Sequence, residues 1–364
     1  MKKLLLINLI TVFAIAGSVF AKGSYHPEQE ECGCPETECN TCPADKETCF
    51  DDSDLFRKDK CVAFGNAEFL FWRADAGALE YAFQFTEAVP AGTTYGIGSY
   101  KIADYDWDPG FRVALGWYNA KSFWQLYGQF TRMRIKGSDT EDRTVAVNEP
   151  LVGTFPHNAI LGAELSSAAS SLKLNHELGD VLVSRVFITN PHLRLRLFGG
   201  FTGGRIKQNW NVTYIDLNSQ TERILNRWRF LGVGLRLGLD IDWFWGKDFY
   251  LTGKLSTAPL VGRHKNIGKI TADTSGVAFE DIRYSKYRGA YNVDGYVGFS
   301  YQRSFQCTRF ELFAGYELDS WFNVHEILRP SSITSQSLTT ELPVDMSNGL
   351  FLMHGLTARV TVDF

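Results

Sequence analysis

Cysteines are the residues best suited to chemistry in this chain, and six of its seven lie close together. The six are Cys32, Cys34, Cys39, Cys42, Cys49 and Cys61, and the seventh, Cys307, lies far along the sequence. The spacings Cys-x-Cys and Cys-x-x-Cys could supply thiolates to a tetrahedral zinc ion. In an exported protein the same residues would form disulfides, because thiols oxidise outside the cytosol. The compartment therefore decides between metal and disulfide.

The first twenty-one residues indicate export. Lys2 and Lys3 precede an almost unbroken apolar stretch, and Ala21 provides a small residue at the cleavage position. No cysteine lies at that position, so a lipid anchor is not expected. We therefore predict disulfides among the six clustered cysteines and Cys307, with the connectivity left open, and no bound metal.

Other side chains give no catalytic pattern. The histidines are scattered, without a His-x-x-x-His pair, and no Gly-x-Ser-x-Gly motif is present. Asp240 and Asp242 lie two residues apart and could act as paired acids or bind a cation. The favoured interpretation is that they solvate the wall of a channel. The sequence predicts neither an enzyme nor a cofactor, and a net charge of −4 argues against a nucleic-acid partner.

Period-two alternation dominates the chain after residue 63. Between residues 231 and 243 large apolar side chains alternate without interruption with Gly, Arg and Asp. This pattern places the apolar groups on one face of a strand, whereas a helix would scatter them. The same alternation recurs in 79–85, 111–118, 193–197, 291–302, 309–319 and 350–364.

The alternating segments indicate a barrel in a membrane. They run about ten to fifteen residues, enough for the ~9–11 that a tilted strand needs to cross a bilayer. Hydrocarbon offers no partner to an open sheet edge, so the sheet must close. The predicted fold class is all-β, a closed antiparallel transmembrane β-barrel of about 12 strands (range 10–16). A soluble β-sandwich is the alternative.

The domain organisation follows from these segments. We predict a signal peptide at 1–21, a cysteine-rich periplasmic extension at 22–62, disordered or stapled by disulfides, and the barrel at 63–364. The twelfth strand is assigned to 97–107. If 63–86 forms one bent strand, the count is ten.

The C-terminus suggests how the barrel is oriented. Phe364 ends an alternating segment, and Val360, Val362 and Phe364 resemble the signal read by the barrel-assembly machinery. With this end in the periplasm, the polar connections 135–170, 261–286 and 323–349 fall outside the cell. Cys307 then lies on the same side as the cysteine-rich extension.

Four short motifs resemble one family. They are 67–73 (AEFLFWR), 106–116 (DWDPGFRVALG), 174–177 (LNHE) and 195–200 (LRLFGG). They are similar to pore-forming outer-membrane proteins called major-outer-membrane-protein-like in Legionella and chlamydia-related bacteria. The resemblance covers most of 63–364 and implies a porin-like barrel. The cysteines of the extension are similar to those of the disulfide-linked envelopes of chlamydia-like organisms.

The sequence thus predicts a porin of the outer membrane, passing small hydrophilic solutes by passive diffusion. The predicted pore-lining residues are Arg112, Arg194, Arg196, Arg236, Asp240, Asp242, Lys254, Asp294, Glu311, Glu317, Asp319 and Arg359. The alternative is a structural or adhesive surface protein with a plugged barrel, cross-linked into the envelope by disulfides. Expected partners are outer-membrane lipid, the barrel-assembly machinery, disulfide-linked envelope proteins and further copies of the chain.

Overall fold

The computed structural model describes residues 53–57, 60–86, 97–143, 150–155, 164–246, 248–272, 278–305, 307–330, 344–347 and 350–364. The predicted signal peptide and Cys32, Cys34, Cys39, Cys42 and Cys49 lie outside these residues. Within the described part of the chain, no helix is long and apolar enough to cross a membrane.

Fifteen strands make up the described secondary structure. They are β1 (Cys61–Ala76), β2 (Glu80–Phe85), β3 (Gly98–Ile102), β4 (Asp108–Asn119), β5 (Trp124–Asp142), β6 (Leu151–Gly153), β7 (Leu165–Asn190), β8 (Leu193–Asp216), β9 (Thr221–Phe244), β10 (Phe249–Ala272), β11 (Ala278–Phe305), β12 (Thr308–Phe322), β13 (Ile327–Pro330), β14 (Val344–Ser347) and β15 (Phe351–Asp363).

Ten of these strands form a closed ring. The order is β7-β5-β4-β1-β15-β12-β11-β10-β9-β8, and pairing of β8 with β7 closes it. Every neighbouring pair is antiparallel. The predicted closed antiparallel barrel is confirmed. Its ring has ten strands, the lower bound of the predicted range and two fewer than the central value.

Two segments counted as barrel strands lie outside the ring. Residues 79–85 contain β2 and residues 97–107 contain β3, and these two strands pair with each other. β2 also pairs with β6, which touches the ring through Leu151 opposite Leu165. The alternation in β2 fails at a register shift between Glu80 and Ala82, where Tyr81 and Ala82 are both buried. Alternation indicates a strand but not the sheet that it joins.

The ring strands also continue into two predicted polar connections. β5 runs to Asp142 and β7 begins at Leu165, while β10 and β11 remain paired up to Thr271 and Ala278. Most of 261–286 and the two ends of 135–170 are therefore strand rather than loop. Polar side chains do not prevent strand pairing, because the backbone hydrogen bonds still form and polar cross-strand pairs can also be favourable.

The two faces of the ring differ as the alternation predicts. On β9, Leu235 and Leu237 are 54% and 56% exposed on the outside, whereas Arg236 between them is 2% exposed inside. This orientation excludes the β-sandwich alternative, in which the leucines would be covered. We call the outward apolar stretch of the ring the apolar band; on β9 it comprises the odd-numbered positions 231–243.

The two rims of the ring also differ. The strand pairs β4–β5, β7–β8, β9–β10 and β11–β12 follow each other within two to four residues at one rim, where Cys61 and Phe364 also lie. We call this the short-turn rim. The connections that contain β2, β3, β6, β13 and β14 lie at the opposite, long-connection rim.

Candidate functional site

The inward face of the ring carries ionised side chains at the level of the apolar band. Strand alternation turns them inward, because each lies next to an outward apolar neighbour. Arg112 shows the geometry most clearly. Its guanidinium lies 2.7 Å from a carboxylate oxygen of Glu68 and 2.8 Å from one of Glu317. Thr131 accepts a further hydrogen bond from its Nε at 2.9 Å.

A second cluster surrounds Asp294. Arg236 and Lys254 both form ion pairs with this carboxylate, Lys254 at 3.1 Å. Arg236 also lies 3.2 Å from Asp180 and donates to Asn292 at 2.8 Å. One carboxylate is therefore held by two cations, and one guanidinium bridges two carboxylates, as in an extended network.

A third group lies towards the short-turn rim. Arg194 pairs with Asp242 at 2.9 Å, and Arg196 with Asp240 at 3.4 Å. Two further pairs there are Arg359 with Glu311 (2.9 Å) and Arg309 with Asp363 (2.6 Å). A cavity of about 100 Å³ lies among these groups. It has room for a few water molecules.

All twelve predicted pore-lining side chains lie inside the ring. Eleven of them make ion pairs with carboxylates or with Arg or Lys. Asp319 instead accepts hydrogen bonds from Asn292 and Trp321 and lies 3.8 Å from His176.

Several buried ionisable groups were not among the predicted residues, including Glu68, His176, Asp180, Arg309 and Asp363. Glu68 alternates with the outward Phe69 and could have been found from that pattern. His176 is 1% exposed and packs against the ring of Trp321. The residues on either side of it, Asn175 and Glu177, are polar, so the local sequence does not reveal which face of β7 points inward.

The interior near the long-connection rim differs from the expected wet lumen. Apolar side chains fill it, and many come from connections rather than ring strands. We call this filling the plug; it comprises 79–82, Ala103, Tyr105, Leu151, Phe155 and 324–328, all but Glu80 buried. The sequence analysis gave a plugged barrel as the alternative but did not identify these residues, because alternation does not encode which described parts of a connection, such as 324–328, fold inward.

The plug is held to the ring by hydrogen bonds to its backbone. Asn226 of β9 donates to the carbonyl of Leu328 at 3.0 Å and accepts from its N–H at 3.3 Å. Asn266 of β10 donates to the carbonyl of Glu326 at 2.9 Å. These amides satisfy backbone groups that would otherwise be buried without partners.

Two ionisable side chains of the plug lie outside the ring strands. His325 Nε2 donates to the carbonyl of Gly77 at 2.7 Å, and its ring packs against Trp228. Burial lowers the pKa of His325 to about 4. Burial alone would raise the pKa of Glu326, but hydrogen bonds from Tyr284 and Arg288 outweigh it and lower the pKa.

The remaining predicted residues lie at the short-turn rim. Cys61 begins β1 and Cys307 lies in the turn between β11 and β12, where Arg57 donates to its carbonyl at 2.8 Å. Val360 and Phe364 point outward and are exposed. Among the described residues, no group of three or more His, Cys, Asp or Glu side chains is placed to hold a metal ion.

Comparison with known proteins gives one family. A sequence model of the family described as "Legionella pneumophila major outer membrane protein precursor" matches residues 64–363. No curated protein matches the chain.

Among solved structures, the chain is similar to the outer membrane protease OmpT of Escherichia coli. The identity is 10%, the match covers 86% of this chain and 99% of that one, and the TM-score is 0.40. It is also similar to a Pseudomonas aeruginosa FadL homologue (8% identity, 84% and 90% covered, TM-score 0.25). A third is the toluene transporter TodX of P. putida (7% identity, 83% and 89% covered, TM-score 0.26).

Proposed function

The chain belongs to the Legionella major outer membrane protein family and is an outer-membrane β-barrel, and from this premise we propose that it is a narrow channel. Small hydrophilic solutes would pass by passive diffusion along the ionised interior. In this proposal the plug closes the end at the long-connection rim. Movement of the plug would open the path.

The observation that carries this proposal is the ionised interior at the level of the apolar band. Burying ion pairs costs desolvation, and apolar side chains of similar volume often stabilise a protein equally well or better. Stability alone therefore does not favour Arg112, Arg236 and Lys254 inside the ring. Opposed cations and carboxylates around a cavity would instead hydrate a solute and give weak ion selectivity.

Barrel size supports a narrow channel rather than a wide one. Eight-stranded barrels are filled by their own side chains, whereas barrels of 16–18 strands leave an aqueous channel. A ring of ten strands is close to the first case. We therefore expect small conductance steps and a closed resting state.

Single-channel recording in planar bilayers tests the proposal. Stepwise conductance from the refolded protein is expected, and Lys254→Gln should shift the reversal potential in a salt gradient towards cation selectivity. Lys121→Gln, in an exposed turn at the short-turn rim, is the matched control and should leave the reversal potential unchanged. Absence of steps from correctly folded protein would exclude the channel.

A second function is favoured by the filled interior near the long-connection rim. A structural surface protein needs no pore, and Cys61 and Cys307 at one rim could join disulfides that link the chain to the envelope. Non-reducing gels of whole envelopes discriminate, since cross-linking predicts high-mass species that collapse with reductant. Cys307→Ser should reduce these species if Cys307 takes part.

A further inference from the structure

The outer face of the ring changes character on three neighbouring strands. On β9 the outward positions from Leu231 to Trp243 are large and apolar, but those before Leu231 include arginines. The same change occurs on β8 after Phe201 and on β10 after Val261. We call the resulting set the cationic collar; it comprises Arg205, Lys207, Arg223, Arg227, Arg229, Arg263, Lys265 and Lys269.

Strand register places the collar directly at the edge of the apolar band. Arg205 on β8 and Arg263 on β10 both lie opposite Leu231, the first lipid-facing residue of β9. One step further out, Arg229 lies opposite Lys207 on one side and Lys265 on the other. Directly opposed residues have Cβ atoms about 4.5–5.5 Å apart, a distance at which like charges repel.

Acidic groups near the collar come from the flanking strands: Glu177 of β7, and Asp281 of β11 opposite Lys269. The collar's outward positions on β8, β9 and β10 include no Asp or Glu. Arg205 pairs with Glu177 of β7 at 3.0 Å, while Arg227 and Arg263 donate to Asn209 and Ser285. Among the described residues, Lys207, Arg229 and Lys265 form no ion pair, in contrast to the paired cations of the interior.

We propose that the cationic collar binds the phosphate groups of lipid headgroups in the leaflet at the long-connection rim. Lipid already covers the apolar band, so its headgroups lie at the level where the collar begins. Long connections lie outside the cell in outer-membrane barrels, which makes this the outer leaflet. These outward-facing cations and the anionic headgroups are complementary in charge. Each cation near an anionic membrane surface strengthens binding about fivefold.

Lipid binding to the refolded barrel in neutral detergent tests the proposal. The probe is diphosphoryl lipid A, retention is counted by native mass spectrometry, and phosphatidylcholine is the neutral comparison. The triple variant Lys207→Gln, Arg229→Gln, Lys265→Gln should bind the probe roughly 100-fold more weakly. The matched control Lys60→Gln, Lys121→Gln, Arg303→Gln removes the same charge from exposed positions at the short-turn rim and should retain binding.

Three results would overturn the proposal. They are equal weakening by the two triple variants, equal retention of lipid A and phosphatidylcholine, and displacement of the probe by inorganic phosphate at matched concentration. The last would identify a site for free phosphate rather than lipid. Circular dichroism and the heat-induced mobility shift on gels establish that each variant is folded. Lys207→Arg, Arg229→Lys, Lys265→Arg keeps the charge and should restore binding.

Discussion

Arg112 contacts two glutamates, Glu68 and Glu317, and all three side chains are almost completely buried. Its position illustrates the electrostatics of the whole interior. A buried ion pair adds little net stability, but removing one partner leaves an uncompensated charge in a medium that solvates it poorly. Each interior cation therefore stabilises the barrel as long as its carboxylate partner is present, even though an apolar pair of similar volume could take the place of both.

Replacing Arg112 with Gln should destabilise the barrel by about 3–5 kcal/mol, because Glu68 and Glu317 lose their cation. Urea unfolding in lipid vesicles, followed by tryptophan fluorescence, measures the change. Arg303→Gln is the control, since Arg303 is exposed near the short-turn rim, and should change stability by less than about 0.5 kcal/mol. Equal effects of the two substitutions would contradict this interpretation of the interior.

His325 gives the plug a pH dependence of defined sign. The carbonyl of Gly77 can only accept, so Nε2 carries the hydrogen and Nδ1 is the site that would be protonated. Its pKa falls from 6.5 to about 4 on folding, so the plugged state binds fewer protons than the released state. The plug is fully stabilised above pH 6.5, and weakens by up to about 1.4 kcal/mol per pH unit between 6.5 and 4.

Channel openings should therefore become more frequent as the pH falls from 7 to 5. His325→Gln keeps a donor for Gly77 but cannot titrate, and should flatten the profile of open probability against pH. His192→Gln, in an exposed turn, is the control and should retain the wild-type profile. An unchanged profile in His325→Gln would show that this histidine does not control the plug.

β9 crosses from the collar into the apolar band within one strand. Leu225 and Leu235 are both outward-facing leucines of β9. They differ in their position along the strand: Leu225 lies among the collar residues and Leu235 lies in the apolar band. Leu235→Arg should cost about 2–4 kcal/mol, because it places a charge against hydrocarbon near the bilayer centre. Leu225→Arg should cost only about 0–1 kcal/mol. Unfolding free energies in vesicles give both values, and equal costs would place the band elsewhere.

The plug depends on side chains of the ring strands. Asn226 and Asn266 hold the backbone of Glu326 and Leu328. The double variant Asn226→Ala, Asn266→Ala should release this segment and raise the open probability of the channel, while the ring persists. Asn211→Ala on the outer face of β8 is the control. A folded double variant with wild-type conductance would mean that the plug does not gate the pore.

Closure depends on the last strand, since β15 pairs with β1 on one side and β12 on the other. The N–H of Phe364 donates to the carbonyl of Ala63 at 2.9 Å, while its side chain points out at the short-turn rim. The ring gains little from that exposed side chain. A role in recognition by the barrel-assembly machinery would account for it.

Phe364→Ala should therefore lower the amount of assembled barrel in cells and leave the unfolding free energy of purified, refolded protein nearly unchanged. Heat-modifiability on gels measures assembly in membranes, and urea unfolding measures stability. Phe305→Ala, an exposed aromatic at the same rim, is the control and should leave assembly unchanged. Parallel loss of stability and assembly in Phe364→Ala would assign the residue a structural role.

The amino-acid pattern by itself predicted which face of most ring strands meets lipid, with β7 as the exception. Leu235 outside and Arg236 inside follow from alternation, because successive side chains on a strand point to opposite faces. The same local rule predicts that the twelve candidate pore-lining residues share the inward face; that they line a conducting pore stays a prediction. The resemblance to the family also followed from four short motifs within single strands, and the family match over residues 64–363 confirms it.

The tertiary structure alone decided how many strands close the ring and what fills it. β2 alternates like a ring strand but pairs with β3 and β6, and residues 324–328 enter the barrel although nothing in their sequence distinguishes them from an external loop. The physical reason is the range of the interactions. The face to which a side chain points is determined by its neighbours along the same strand. Closure of the ring and insertion of the plug instead depend on hydrogen bonds and packing between segments far apart in the chain.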